Sequence, residues 1–242
     1  MTTKRFFYAG LFLLSFIAFS SCDEMFDERI EGNRNVITTT REIPDFDEVV
    51  STGNYDVYIT IADSTSLRIE AEENLIRFIE TYVSGRNLYI EEKDDYWLDN
   101  NKPMKLFLTT PSLDEILLTG SGKIVCDTIS SEYLILKITG SGKIEFNKTY
   151  VDNMKAVLTG SGDIILSGKG LESEYNVTGS GSIRAIDFIH NDSESTITGS
   201  GNIYVYAIEY LKAVITGSGD IYYEGNPDIT ERITGTGDLR RY

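Results

Sequence analysis

The chain has 242 residues, 41% hydrophobic and 25% charged, and its 38 acidic against 22 basic side chains give a formal charge of −16. That acidity repels the phosphates of nucleic acid and of anionic lipid surfaces, so nucleic acid is not an expected partner. The length suffices for one elongated domain or two compact ones.

Residues 1–21 have the layout of a bacterial secretory signal peptide. Lys4 and Arg5 open it, an apolar run follows from Phe6 to about Phe19, and Ser20 and Ser21 precede Cys22. The run is too short for a membrane span. "AFSSC" resembles a lipobox, in which the signal is removed and the new N-terminal cysteine receives lipid, although Phe19 stands where lipoproteins usually carry Leu. The expectation is a lipid anchor on Cys22; the alternative is a plain signal peptide with a chance cysteine. Loss of Lys4 and Arg5 with the signal takes the formal charge to −18. Cys126 is then the only thiol, so no internal disulfide can form. In "KIVCDT" it alternates in phase with Ile124, as a buried, inert side chain does. Residues 22–35 are polar and aperiodic, and read as anchor and tether.

From 36 to 111 the pattern is strand-like and irregular. "YDVYITI", "SLRIEA" and "NLYIEE" alternate with period two. "NLIRFIETYV" has Leu75, Ile76, Ile79 and Tyr82 at helical spacing, which predicts one short helix. "EEKDDYWLDNNK" reads as an acidic loop, "MKLFLTT" returns to strand, and Pro111 closes the region.

Residues 112–242 are a repeat array. The motif Thr-Gly-Ser/Thr-Gly begins at Thr119, Thr139, Thr159, Thr178, Thr198, Thr216 and Thr234, spacings of 18 to 20 residues. Such a period signals stacked supersecondary units. The residue before each Thr is branched and apolar: Leu118, Ile138, Leu158, Val177, Ile197, Ile215 and Ile233. Two beyond the second Gly come Ile124, Ile144, Ile164, Ile183, Ile203, Ile221 and Leu239. Two further on come Cys126, Phe146, Leu166, Ala185, Val205 and Tyr223. Period two on both sides of a Gly-x-Gly means strand, tight corner, strand. Stacked at about 4.8 Å, equivalent residues form columns inside a β-solenoid. The changes in spacing fall after the second strand, so looser connections should gather on one side.

The motif itself carries little chemistry. A phosphate loop needs a helix after its last glycine, and here an Ile-rich strand follows. The position after the second Gly reads Lys123, Lys143, Asp163, Ser182, Asn202, Asp220, Asp238, and its lysines repel a calcium ion. Asp and Asn there read as turn caps. His190 is the only histidine, and "DFIHNDS" has no nucleophile elbow around it, so it reads as a structural loop residue. Neither catalytic residues, nor a metal site, nor a cofactor is expected. Carboxylates are abundant, which leaves a glycosidase reading open. The best binding hint is Tyr204 and Tyr222, outward on consecutive turns with Tyr206 and Tyr210 nearby; they form either a ligand platform or a cross-strand ladder.

"VLTGSGDIILSGKG", "VITGSGDIYYEGNP" and "ITGTGD" closely resemble the bacterial putative auto-transporter adhesin head domain, also called the GIN domain. "FDEVVSTGNYDVYITIADSTSLRIEAEENLIRFIETYVSGRNLYIEE" is similar to the lead-in such proteins carry before their repeats. The resemblance spans about residues 36–242. It implies a right-handed parallel β-helix in exported, often lipid-anchored proteins of Gram-negative bacteria, and brings no catalytic residues.

Together these readings predict an all-β, right-handed parallel β-solenoid of 18 to 20-residue turns with a strand-rich lead-in. They predict a non-catalytic envelope lipoprotein, held at the outer membrane by its N-terminal lipid on the periplasmic face or the cell surface, and binding a glycan or a protein. An envelope carbohydrate-active enzyme and a structural spacer or assembly subunit stay open as alternatives, the last turn offering a strand edge for oligomerisation.

Overall fold

The computed structural model describes residues 28–242, so the signal segment and Cys22 lie outside the described residues. Stacked parallel coils form a β-solenoid of about six turns. The N-terminal part contributes β1 (Glu28–Glu31), β2 (Val36–Arg41), β3 (Glu48–Gly53), β4 (Asp56–Ile61), β5 (Ser66–Glu72), β6 (Ile79–Ser84), β7 (Asn87–Glu92), β8 (Tyr96–Asp99) and β9 (Lys105–Thr110). The repeat array follows as β10 (Glu115–Gly120), β11 (Lys123–Gly140), β12 (Lys143–Gly160), β13 (Asp163–Gly179), β14 (Ser182–Gly199) and β15 (Asn202–Gly217). It ends with β16 (Ile221–Glu224), β17 (Asp228–Gly235) and β18 (Leu239–Arg241).

Each repeat is one coil, and the motif is its corner. Gly120, Gly140, Gly160, Gly179, Gly199 and Gly217 pair in register from β10 to β15. The first glycine of each motif holds φ between 110° and 131°, a region that L side chains rarely adopt. The second glycine is needed for a different reason. A Cβ on Gly162 would stand 2.3 Å from the Gly142 carbonyl oxygen of the coil beside it.

The apolar columns run through the core as the repeat alignment predicts. Leu118, Ile138, Leu158, Val177, Ile197 and Ile215 are buried, as are Ile124, Ile144, Ile164, Ile183, Ile203 and Ile221. The column ends at Ile233, 38% exposed, because no described coil covers it. Cys126 is buried among these side chains, and burial pushes its thiol pKa up to about 12, so it is inert at neutral pH.

The solenoid also begins earlier than the motif. Thr52 and Gly53 of β3 pair with Thr119 and Gly120, and β4 pairs with β11. "STGNYDV" is therefore an eighth corner, with Tyr55 where the others carry their second glycine. One further parallel layer, β7 on β3 and β9 on β4, is closed by antiparallel β6, β5 and β2. Antiparallel strands use the edge groups that another coil would have used, so they cap the stack.

Three local readings change. The helix expected over "NLIRFIETYV" is a single 3₁₀ turn, Ile76–Phe78, after which the chain enters β6. Pairing with β7 outweighs the helical spacing, and Tyr82 faces outward and stacks on Tyr89 at 5.0 Å. Arg41 steadies the turn, its guanidinium donating to the carbonyls of Ile76 at 2.9 Å and Ile79 at 2.7 Å. Glu28–Glu31, inside the stretch read as tether, pairs with Tyr96–Asp99, inside the stretch read as a loop. Glu72 is fully buried and accepts from the backbone N–H groups of Arg34, Asn101 and Lys102, which pins these segments together.

Candidate functional site

Tyr204 and Tyr222 do stack on consecutive coils, with ring centroids 4.8 Å apart and planes 9° from parallel. Their surfaces are largely in use. Arg184 lies 6.0 Å over the Tyr204 ring, and Tyr242 meets both rings edge-on at 5.8 and 6.4 Å. The Tyr222 hydroxyl donates to Asp220 at 3.1 Å. The geometry is that of a cross-strand ladder whose faces are covered by its own members. Tyr210 belongs to another surface, described below.

The column after the motif caps backbone groups, but across coils rather than within one turn. Asn202 Oδ1 accepts from Asp220 N at 3.1 Å, and Asp220 Oδ1 accepts from Asp238 N at 2.8 Å. Arg240 pairs with both Asp220 and Asp238. Lys123 and Lys143 share Glu145 at 3.2 and 3.0 Å, and these ammonium groups hold its carboxyl below the usual range.

His190 lies on β14, not in a loop, and is fully buried. Its Nδ1 is 3.0 Å from the Phe188 carbonyl, which can only accept, so that nitrogen carries the proton. Burial pushes the imidazole pKa down to about 4, against the pull of that carbonyl, and the ring is neutral at pH 7. Nε2 is left to accept from the Ser173 hydroxyl at 2.8 Å. Ser173 Oγ also lies 3.0 Å from Ser193 Oγ, itself 3.3 Å from Ser195 Oγ. Phe188 and Tyr175 pack around the ring at 5.7 and 5.8 Å.

Above this cluster a groove of about 540 Å³ runs along the stack across β11 to β15, at residues shortly before each motif corner. Three columns build it. The first carries Tyr133, Asn153, Glu172, Asp192 and Tyr210 in register. The second, one residue on, points inward and is apolar at Leu134, Met154 and Leu211. In two successive coils it is Ser173 and Ser193, buried, hydrogen-bonded to each other and through Ser173 to His190, and they line the groove floor. The third carries Lys155, Glu174, Glu194 and Lys212, tied across coils by Lys155–Glu174 at 2.8 Å and Lys212–Glu194 at 2.7 Å. The hydrogen bond from Lys155 holds the Glu174 carboxyl below its usual range. Tyr133 and Tyr210, 45% and 39% exposed, stand at the two ends. They are four coil spacings apart, on the order of 19 Å.

The irregularities of the stack fall between the strand that follows each motif and the groove residues. Register shifts fall between Phe146 and Thr149, Ile165 and Ser167, Ala185 and Ile189, and His190 and Asp192. Two smaller hollows, of about 490 and 500 Å³, adjoin the groove at Ser131 and Glu132. A hollow of about 600 Å³ in the N-terminal part is a weaker candidate, because its aromatic faces are covered. There Tyr58 stacks on Phe107 at 5.2 Å and Arg68 lies 3.7 Å over the same ring.

The sequence reading missed the groove, yet a signal for it exists. From the second motif onward, counting five residues back from the motif Thr gives Leu134, Met154, Ser173, Ser193, Leu211 and Ile229, an apolar column with two polar breaks.

A protein-family model described as "Putative auto-transporter adhesin, head GIN domain" matches residues 45–227. Among solved structures, a putative lipid binding protein from Parabacteroides distasonis is 29% identical with a TM-score of 0.75, covering 89% of this chain and 100% of its own. A putative adhesin from Bacteroides fragilis is 24% identical with a TM-score of 0.82, covering 88% and 100%. Another from Parabacteroides merdae is 21% identical with a TM-score of 0.72, covering 89% and 99%. The last two show a shared fold alone. No curated protein matches the chain.

Proposed function

The chain belongs to the auto-transporter adhesin head GIN domain family, and from that premise we propose that it is a non-catalytic binding module anchored in the cell envelope by lipid on Cys22. Membership points to an exported or cell-envelope protein of adhesin type. Its ligand is a glycan or a protein, and it is displayed at the outer membrane, on the periplasmic face or the cell surface.

One observation carries this reading: the contrast between the two sides of each coil. The motif corner repeats with little change, and its groups are spent on the stack. The other side shifts register, opens a groove and varies from coil to coil, as a recognition surface on a rigid scaffold does. The buried, neutral His190 supports a non-catalytic role, since its ring nitrogens are committed to Phe188 and Ser173.

The test is a screen of the full-length protein against glycans and isolated envelope proteins, with product analysis in the same samples. Saturable binding without turnover is expected. Turnover of a polysaccharide would establish an enzyme instead, and neither binding nor turnover would establish a spacer. Metabolic labelling with a fatty acid, lost in Cys22→Ser, checks the anchor, and protease shaving of intact cells reports the exposed face.

A further inference from the structure

We propose that the groove between Tyr133 and Tyr210 binds a linear glycan of neutral or amino sugars, an inference that rests on the binding-module reading and gives it a site and a ligand class. The shape comes first. The groove is elongated along the stack, so it suits a chain rather than a compact molecule. Its first column places Asn153, Glu172 and Asp192 on successive coils at about 4.8 Å intervals, a row of acceptors matched to a repeating row of hydroxyls.

The aromatic faces come second. Unlike the rings of Tyr204 and Tyr222, those of Tyr133 and Tyr210 have no ring or cation stacked on them among the described residues, and both are exposed. A ring face free at each end of a polar trough can pack on the apolar face of a sugar while the phenol end stays in water.

Charge then narrows the ligand. Four carboxylates, Glu172, Glu174, Asp192 and Glu194, line the groove against two ammonium groups, Lys155 and Lys212. Glu174 and Glu194 are held by those lysines. Glu172 and Asp192 form no ion pair among the described residues, so they are free to accept from a hydroxyl or an ammonium group. The surplus negative charge repels uronates and phosphorylated sugars. The inter-coil ion pairs also fix the third column before a ligand arrives, which lowers the ordering cost of binding.

Other ligands fit less well. The centre of a protein interface is depleted in charge, whereas this groove has its charge in the middle and its aromatic rings at the ends. An acyl chain needs a continuous apolar lining, and the floor passes from Met154 to the polar Ser173 and Ser193.

The test is calorimetric titration of the full-length protein with linear oligosaccharides in three classes: neutral, amino-sugar and uronate. Binding of the first two without the third is expected. Tyr133→Ala and Tyr210→Ala should each weaken it at least tenfold with the melting temperature unchanged. Glu172→Gln with Asp192→Asn should weaken amino-sugar binding more than neutral binding. Uronate binding of equal strength overturns the proposal, as does glycan binding indifferent to the groove substitutions. Loss of glycan binding in Tyr204→Ala with Tyr222→Ala, but not in the groove variants, moves the site while leaving the binding module intact. Saturable binding of a protein or of phospholipid vesicles with no glycan binding overturns the ligand class alone. No binding of any probe overturns both this inference and the module reading.

Discussion

His190 shows how much a single buried polar side chain can contribute to an apolar solenoid. Its pKa falls from the ordinary 6.5 to about 4 because burial disfavours the imidazolium. As pH falls through 6.5 the unfolded chain takes up a proton that the folded chain refuses until about pH 4. Stability is therefore lost across that window, by about 3 kcal/mol in total. Urea unfolding of wild-type and His190→Phe protein at pH 7, 5.5 and 4 checks this. The free-energy difference between the two should shift by that amount in favour of the variant as pH falls, and a constant difference would contradict the buried neutral ring. That His190 is structural is legible from the absence of partner motifs around it. Its location is not, because "DFIHNDS" carries polar neighbours that mimic a loop. Glu72 is similar: "SLRIEAEE" shows an ordinary strand-end acid, and only folding brings the N–H groups of Arg34, Asn101 and Lys102 to it.

At the scale of the element, the coil corner is the best-specified feature. Its two glycines answer separate demands, backbone conformation at Gly160 and approach of the next coil at Gly162. The methyl group of Gly162→Ala would collide with a backbone oxygen that no side-chain rotation can move, so it should cost about 1–3 kcal/mol. Ser161→Ala, exposed in the same corner, should stay within about 0.5 kcal/mol. Thermal or urea unfolding compares the two directly, and equal losses would mean that the close approach at Gly162 does not hold the corner. Period-two alternation around each motif made the buried columns readable without coordinates. Helical spacing misleads at "NLIRFIETYV", where the local pattern favours a helix and a partner strand supplied by tertiary structure wins. The degenerate corner "STGNYDV" does not show the motif because Tyr55 replaces the second glycine, although Gly53 keeps the positive φ of the others, at 120°.

Across the whole molecule, stability should be graded along the stack, since each coil in a solenoid contacts only its neighbours. The strands β12, β13 and β14 are paired on both sides. By contrast, among the described residues β17 pairs only with β15 and is exposed at every residue, and β18 pairs only with β16. Hydrogen exchange should be slowest at the amides of β12–β14 and fastest at β17 and β18. Uniform protection would instead indicate a single cooperative unit. The sequence by itself determined the corner, the coil length and the identity of the stacked columns. Each depends on residues close together in the chain, and the repeat writes the same short-range constraint seven times over. The tertiary structure alone decided where the variable residues meet. Tyr133, Asn153, Glu172, Asp192 and Tyr210 lie 18 to 20 residues apart and share no residue type that marks them as a set. They become neighbours only because stacking at the strand spacing converts a period in sequence into about 4.8 Å in space. That this face leaves a groove depends on how the coils stack and on register shifts between them, which no alternation pattern records.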